Sequence, residues 1–216
     1  MRIIGMGAST MAGVGDSEGG FFRRLGKTVN AWYPGIEFVN RGVGGDTTAM
    51  MLARAKVPGS WGNHFVVVLL GCNDVPRDRD LTPGIRPSLE EYRRNLDELL
   101  GLIRGEYSLF VTSFPVCAPR TGVRPEILTR YMEAALEVAR DHEYEIWDLH
   151  GELGGAGAEP YLAADGKHFN ELGHAMIAGR VTEKLHPQLN EGLDDTSPGP
   201  KTPEISSAND RIQPLA

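Results

Sequence analysis

The sequence feature that most constrains the fold is an unbroken apolar run at residues 65–70, which reads Phe-Val-Val-Val-Leu-Leu. Its length suits a strand and is far too short for a membrane span. A strand with one face in solvent would alternate apolar and polar residues, and this run does not. It therefore predicts a central parallel strand that helices cover on both faces.

Four further strand-like stretches alternate with helical patterns. The predicted strands begin at residue 3 and cover residues 36–40, 64–70, 109–114 and 145–149. The predicted helices cover residues 21–32, 48–55, 88–103, 125–141 and 170–186, and residues 151–164 form a predicted loop. This alternation predicts an α/β fold with a five-stranded parallel sheet. Right-handed crossovers would bring the carboxyl ends of all strands to one edge.

Helix caps and a change of composition define the ends of the folded region. Ser88 followed by Glu91 is the pattern of a capping box, and Asn170 is a predicted cap of the last helix. That helix is expected to turn a set of apolar residues inward, namely Leu172, Met176, Ile177, Val181 and Leu185. We expect one folded domain at residues 1–190 and a disordered tail rich in Pro and Ser at residues 191–216.

Composition and charge narrow the possible partners. The chain has 216 residues and a net charge of −7, which argues against a nucleic-acid binder. No apolar run is long enough for an integral membrane segment. No secretory signal precedes the first strand, so a cytoplasmic location is the expectation. Cys72 and Cys117 lack metal-ligand spacing and are predicted to be free thiols.

Small and polar residues follow the predicted strands at the edge where open α/β sheets bind ligands. Ser9 comes after the first strand in a stretch of Gly and Ala residues, where little side-chain bulk surrounds its hydroxyl. Gly44 and Gly45 follow the second strand and allow backbone N–H groups to approach a ligand. Asn73 follows the third strand and offers a side-chain N–H donor. Each feature alone also fits an ordinary turn.

Asp165 and His168 precede the last helix and lie three residues apart. In a turn, this spacing lets the carboxylate accept from the imidazole Nδ1–H, which leaves Nε2 free as a base. Together with Ser9 they form the parts of an acyl-transfer site, in which Ser9 attacks and His168 takes its proton. The Ser9 N–H, the Gly45 N–H and the Asn73 side chain are the predicted donors to an oxyanion.

Four sequence blocks resemble those of the SGNH hydrolases, the GDSL-type esterases and lipases. The blocks are residues 7–13 (Gly-Ala-Ser-Thr-Met-Ala-Gly), 40–47 (Asn-Arg-Gly-Val-Gly-Gly-Asp-Thr), 71–74 (Gly-Cys-Asn-Asp) and 165–168 (Asp-Gly-Lys-His). The resemblance implies a three-layer α/β/α, flavodoxin-like sheet. It also implies Ser9 as nucleophile with Asp165 and His168, oxyanion donors at Ser9, Gly45 and Asn73, no metal and no organic cofactor.

Two residues depart from the family pattern. Ala8 replaces the Asp that usually precedes the serine, which bears on the rigidity of the loop and on rate more than on the class of reaction. Phe169 stands where the family often has proline, and we expect it to change the entry to the last helix and to add an apolar wall to the acyl pocket.

Other motifs compete with this interpretation. The Gly15-Asp16-Ser17 string is a more literal Gly-Asp-Ser than the block around Ser9, but no strand run precedes it, as a nucleophile elbow would require. His168 and His174 are six residues apart, which fits no common zinc motif. We therefore expect His174 to be a partly exposed helix residue.

The predicted function is a serine esterase that acts on a small ester, an acetylated sugar, a lysolipid or a thioester through an acyl-enzyme. The same site with an alcohol acceptor would give an acyltransferase. A third hypothesis is a non-catalytic, flavodoxin-like binding module whose first block has diverged.

Overall fold

Five parallel strands form one sheet in the computed structural model of the protein, which describes residues 1–57, 64–82 and 84–192. The strands are β1 (Arg2–Gly7), β2 (Glu37–Gly42), β3 (Phe65–Leu69), β4 (Tyr107–Val111) and β5 (Glu145–Trp147). They lie in the order β2-β1-β3-β4-β5, so the chain moves outward from β1 in both directions. This is the flavodoxin-like strand order, and it confirms the predicted fold class.

Helices cover both faces of the sheet. They are α1 (Ser9–Ala12), α2 (Phe21–Trp32), α3 (Thr48–Ala55), α4 (Leu89–Ile103), α5 (Ala118–Thr121), α6 (Pro125–Asp141), α7 (Leu149–Gly157) and α8 (Glu171–Gly192), with a 3₁₀ turn at Glu159–Tyr161. Helices α2 and α8 pack together on one face, and α3, α4 and α6 pack on the other. No described helix is both long and apolar enough to cross a bilayer.

The core lies on either side of β3, as its apolar run predicts. All five β3 residues are buried, with alternate side chains entering opposite cores: Val66 and Val68 pack with α4 and α6, while Phe65, Val67 and Leu69 pack with α2 and α8. Because both faces are dry, neither tolerates a polar side chain without a partner. The strand therefore fixes the sheet edge at which residues 70–74 emerge.

Local signals located several helix ends correctly. The Ser88 hydroxyl accepts from the Glu91 N–H, and the Glu91 carboxylate accepts from the Ser88 N–H, so the capping box is complete. The Asn170 side chain accepts from the Gly173 N–H at 3.0 Å and caps α8 as predicted. Helix α6 begins at Pro125, whose missing N–H has no partner to lose at that position.

The prediction for the region after β5 was wrong. β5 ends at Trp147 rather than at residue 149, and α7 occupies part of the predicted loop 151–164. The Asp148 side chain accepts from the Gly151 N–H at 3.0 Å, while the Trp147 indole donates to Glu152 at 2.6 Å. These contacts stabilise a helix in residues whose small size and many glycines favoured a loop.

The last helix is longer than predicted. Helix α8 continues past His186 through Pro187 to Gly192. The continuation is stabilised by the fully buried Leu189 and by the Tyr33 hydroxyl, which donates to Asn190 at 2.5 Å. Leu172 is 57% exposed, so the prediction that it faces inward was wrong. Of the predicted tail, residues 193–216 lie outside the described residues.

Candidate active site

Ser9 is the first residue of α1 and lies at the carboxyl end of β1, as predicted. The turn from strand to helix takes only Ala8, and it needs close approaches between backbones. A Cβ on Gly7 would collide with the Leu69 carbonyl oxygen of β3. At the first position of a helix, the Ser9 N–H has no acceptor within the helix. Ser9 is 7% exposed, so its polar atoms lie largely out of bulk water.

Helix α1 is held against the end of β2. The Asn40 side chain donates to the Met11 carbonyl oxygen at 2.7 Å and accepts from the Gly42 N–H at 2.8 Å. A Cβ on Gly42 would collide with the backbone N of Ala12. The sequence blocks 7–13 and 40–47 therefore contact each other directly. Asn40 binds the backbone of the first block, and Gly42 leaves room for it.

His174 anchors the loop of residues 13–20 that follows α1. The Val14 N–H donates to the Ser9 carbonyl oxygen at 3.0 Å, and the Val14 carbonyl oxygen lies 2.9 Å from His174 Nε2. His174 Nδ1 accepts from the Phe21 N–H at 3.1 Å, so the proton is on Nε2. His174 is fully buried, which shows that the expected partial exposure was wrong. Burial lowers the pKa of His174 and favours its neutral form.

Asp165 and His168 form the predicted pair. Asp165 Oδ2 lies 2.6 Å from His168 Nδ1, while Asp165 Oδ1 accepts from the N–H groups of Lys167 and His168 at 2.8 and 2.9 Å. Partial burial raises the pKa of Asp165, but these hydrogen bonds outweigh it and lower the pKa to about 2. The carboxylate is therefore ionised at neutral pH and can only accept. His168 Nδ1 must carry the proton in a neutral ring, and Nε2 has a free lone pair.

The nucleophile candidate and the base candidate belong to adjacent segments. A Cβ on Gly15, which has φ +99°, would collide with the Phe169 carbonyl oxygen and lie 3.7 Å from His168 Cβ. The 13–20 loop therefore lies on the backbone of His168 and Phe169. In the described part of the chain, however, the Ser9 hydroxyl makes no hydrogen bond with His168. Such catalytic hydrogen bonds are often long without substrate and tighten when it binds.

Asn73 lies at the end of β3 and is buried. Its Nδ2 donates to the Asp46 carbonyl oxygen at 2.9 Å, which uses one of its two N–H groups. A Cβ on Gly71 would lie 3.3 Å from Ala8 Cβ and 3.5 Å from Asn73 Nδ2. The Asn73 amide and the residue before Ser9 thus border the same small space.

Gly45 lies on an exposed turn with φ +87° and open space around its Cα. The turn is closed by the Asp46 N–H, which donates to the Val43 carbonyl oxygen at 3.3 Å. Asp46 is buried and accepts from Arg54 Nε at 2.8 Å, which ties the turn to α3. Among the described residues, no acceptor takes the Gly45 N–H. The structure therefore leaves this donor available to a ligand.

Asp74 is a buried supporting residue for which the sequence suggested no role. Its carboxylate accepts from the Thr48 N–H at 2.9 Å and from the Thr48 hydroxyl at 2.6 Å, so it holds the start of α3. Burial raises the pKa of Asp74 to about 6, although both Thr48 hydrogen bonds act in the opposite direction. The first turn of α3 is therefore fixed to Asp74, the residue next to Asn73.

The competing serine has a structural environment of its own. Ser17 is exposed, and its hydroxyl donates to Glu171. Its neighbour Asp16 accepts from the Gly20 N–H at 2.9 Å and from Arg24 Nε at 2.8 Å, which ties this loop to the start of α2. Phe169 is fully buried with its ring centroid 3.9 Å from that of Phe114, so the expectation that it forms an apolar wall of the acyl pocket was wrong. In the described ranges, no group of His, Cys, Asp or Glu side chains is arranged to hold a metal ion.

Comparison with solved structures identifies similar folds. The chain is 25% identical to a lipase/acylhydrolase from Enterococcus faecalis, with a TM-score of 0.67 over 87% of this chain and 96% of that one. It is 20% identical to an acetylxylan esterase from Geobacillus stearothermophilus, with a TM-score of 0.63 over 85% and 93%. A psychrotrophic esterase from Pseudoalteromonas sp. has 18% identity and a TM-score of 0.62 over 88% and 98%.

Comparison at the level of sequence gives the family. No curated protein matches the chain significantly. The model of the GDSL-like lipase/acylhydrolase family matches residues 6–176, which include Ser9, Gly45, Asn73, Asp165 and His168. That match spans most of the sheet and all of the blocks on which the resemblance depends. The chain therefore belongs to the GDSL-like lipase/acylhydrolase family.

Proposed function

We propose that the protein is a serine esterase that hydrolyses a small ester through an acyl-enzyme on Ser9. The observation that carries the proposal is the contact of 2.6 Å between Asp165 and His168 Nδ1, in a segment that lies against the loop following Ser9. An ionised carboxylate there fixes the tautomer and stabilises the imidazolium that forms during proton transfer. Family membership supports the same chemistry.

In the first half of the reaction, His168 Nε2 takes the proton of the Ser9 hydroxyl as Oγ attacks the ester carbonyl carbon. The carbonyl π electrons move to the oxygen and form a tetrahedral oxyanion. When the oxyanion collapses, the bond to the alcohol oxygen breaks, and His168 returns its proton to the leaving alkoxide. In the second half, water takes the place of the alcohol, and the acid is released with Ser9 restored.

The oxyanion requires preorganised donors. We assign this role to the Ser9 N–H, the Gly45 N–H and the second N–H of Asn73. Support comes from the helix position of Ser9, the open turn at Gly45, and the use of only one Asn73 N–H by Asp46. Removal of one such donor typically costs about 3 to 4 kcal/mol of transition-state stabilisation.

The proposed substrate class is a small ester, including acetylated sugars, lysolipids and thioesters. One structural neighbour is an acetylxylan esterase, which makes acetylated sugars a reasonable first class to test. The cytoplasmic location stays a prediction.

Hydrolysis of para-nitrophenyl acetate by four proteins tests the proposal: wild type, Ser9→Ala, His168→Ala and Ser17→Ala. We expect Ser9→Ala and His168→Ala to lose at least about a hundredfold in kcat/KM. Ser17→Ala is the matched control and should stay within about tenfold, or ~1.4 kcal/mol of barrier.

Two other outcomes would redirect the assignment. If products with added alcohol contain mainly the new ester, the protein is an acyltransferase with the same residues. If wild type hydrolyses no ester and reacts with no fluorophosphonate, the protein is a binding module and the esterase proposal fails.

A further inference from the structure

Three loops join to form one wall beside the candidate site. They are the described residues 75–82 and 84–87 after β3, residues 115–124 after β4 and residues 163–168 before α8. The Asp78 N–H donates to the Gly122 carbonyl oxygen at 2.9 Å, which ties the first loop to the second. The Cys117 N–H donates to the Gly166 carbonyl oxygen at 2.8 Å, which ties the second to the third.

This wall carries a concentration of positive charge in a chain whose net charge is −7. We call it the basic wall and define it by five side chains: Arg77, Arg79, Arg86, Arg120 and Lys167. Arg79 Nη2 donates to the Arg120 carbonyl oxygen at 2.6 Å, and a Cβ on Gly166 would lie 3.1 Å from Arg120 Cδ. The cations therefore come from all three loops and lie near one another.

Among the described residues, the acidic side chains of the same loops pair with only one cation of the basic wall, Arg86. Asp78 pairs with Arg124 at 2.6 Å, and Asp165 pairs with His168. Asp80 contacts Arg86 at 3.4 Å. The other four cations of the basic wall each lack a carboxylate partner within residues 1–57, 64–82 and 84–192. They are Arg77, Arg79, Arg120 and Lys167.

The basic wall adjoins both halves of the candidate site. Arg86 Nη1 donates to the Asn73 carbonyl oxygen at 2.6 Å, so this cation contacts the backbone of an oxyanion candidate. Lys167 precedes His168, and its own N–H donates to Asp165. An anionic group bound by Arg86 and Lys167 would therefore lie close to an ester that is bound between Asn73 and His168.

Some of this positive charge is partly removed from water with incomplete compensation. Arg77 Nε is buried and has no hydrogen-bond acceptor in the described part of the chain. Arg86 Nε is also buried without a hydrogen bond there, and its carboxylate neighbour is Asp80 at 3.4 Å. Burial lowers the pKa of Lys167, and the nearby Arg77 and Arg86 charges add to this lowering. Like charges in a partly buried site repel one another, and a bound anion would relieve both the repulsion and the unmet hydrogen bonding.

We infer that the substrate carries an anionic group, either a carboxylate or a phosphate, in addition to its ester. The basic wall binds this anionic group while the ester lies between Asn73 and His168. This inference rests on the proposed esterase function and narrows its substrate class to anionic esters. Arginine and lysine together suit such groups, because guanidinium pairs with them in two-point geometry and ammonium acts as a point charge.

Matched esters test the inference. Mono-para-nitrophenyl glutarate and para-nitrophenyl pentanoate compare a carboxylate on the acyl chain with its neutral counterpart. Acetoxyethyl phosphate and acetoxyethanol compare a phosphate on the alcohol part with its neutral counterpart. For each pair, the ratio of kcat/KM for the anionic ester to that for the neutral ester is measured in wild type, Lys167→Met and Arg120→Met. Lys184→Met is the control, since Lys184 pairs with Glu145 at the opposite edge of the sheet.

We expect wild type to favour at least one anionic ester by about tenfold or more, within the range that charged clefts give to association rates. Lys167→Met and Arg120→Met should reduce that ratio at least about threefold each, with the neutral ester changed by less than about twofold. Added salt should reduce the wild-type ratio, since it screens exposed charges. The pair that shows the preference tells whether the anion belongs to the acyl or the alcohol part.

Equal ratios in wild type and both variants, or a wild-type preference for both neutral esters, would overturn the inference. A second measurement separates it from the esterase proposal. Calorimetric titration of the Ser9→Ala protein with glutarate and with inorganic phosphate detects anion binding without turnover. Binding that is lost in Ser9→Ala/Lys167→Met supports the basic wall even if no ester is hydrolysed. Failure of both anions to bind, without any anionic preference in turnover, contradicts it.

Discussion

Replacement of Asp74 by Asn should remove the free-energy cost of burying a charged carboxylate, which the native protein carries at neutral pH. The carboxylate lies next to Asn73, is buried, and accepts two hydrogen bonds from Thr48. An Asn Oδ1 can accept the same hydrogen bonds without a charge. Because burial of the charged form is the largest influence on this group, Asp74→Asn keeps the geometry and removes the cost.

The sign and size follow from the pKa. Burial raises the pKa of Asp74 in the folded state from 3.8 to about 6. The folded state therefore binds this proton more tightly than the unfolded state. Its contribution to stability is fully present below the unfolded value and is lost as pH rises through the folded value. A shift of about two units corresponds to ~3 kcal/mol, of which about 2 to 3 kcal/mol is lost between about pH 4 and about pH 7.

Urea unfolding of wild type and Asp74→Asn at four pH values from about 4 to about 7 measures this directly. The difference in unfolding free energy, variant minus wild type, should rise by about 2 to 3 kcal/mol across that range. Asp141→Asn, which replaces an exposed carboxylate at the end of α6, is the control for a general loss of charge. A difference for Asp74→Asn that stays flat with pH would refute the reasoning.

Two further predictions concern the histidines. Asp165→Asn should lower kcat by at least about a hundredfold, because a neutral amide no longer stabilises the His168 imidazolium. The circular dichroism spectrum should stay unchanged. A kcat within about twofold of wild type would contradict this assignment. His174→Leu should lower the unfolding free energy by about 1 to 3 kcal/mol for each unpaired backbone group, since the Val14 carbonyl and the Phe21 N–H lose their buried partner. Urea unfolding measures the second effect, and an unchanged midpoint would argue against the anchor.

The sheet and most helices could be predicted because their signals are local. The apolar run of β3, the Ser88–Glu91 capping box and Pro125 at the start of α6 each act within a few residues. The end of α8, which was predicted too early, depends on a distant contact. Helix α8 passes through Pro187 because Leu189 is buried and Asn190 bonds to Tyr33, the residue after α2, and neither contact is visible in the sequence near residue 187.

The candidate site also has some features that local signals predict and others that depend on distant contacts. The spacing of Asp165 and His168 within one turn made their contact predictable, and the position of Ser9 after β1 followed from the strand pattern. His174 was misplaced because its two hydrogen bonds come from residues 14 and 21, more than 150 positions away. The role of Asp74 was missed because its partner Thr48 precedes it by 26 residues.

The most direct test of the account is the position of a covalent adduct. Wild type is treated with a fluorophosphonate and digested, and mass spectrometry of the peptides locates the modified residue. The account predicts an adduct on Ser9, no adduct in Ser9→Ala, and normal labelling in Ser17→Ala. An adduct on Ser17, or full esterase activity in Ser9→Ala, would contradict the assignment of Ser9 as the nucleophile.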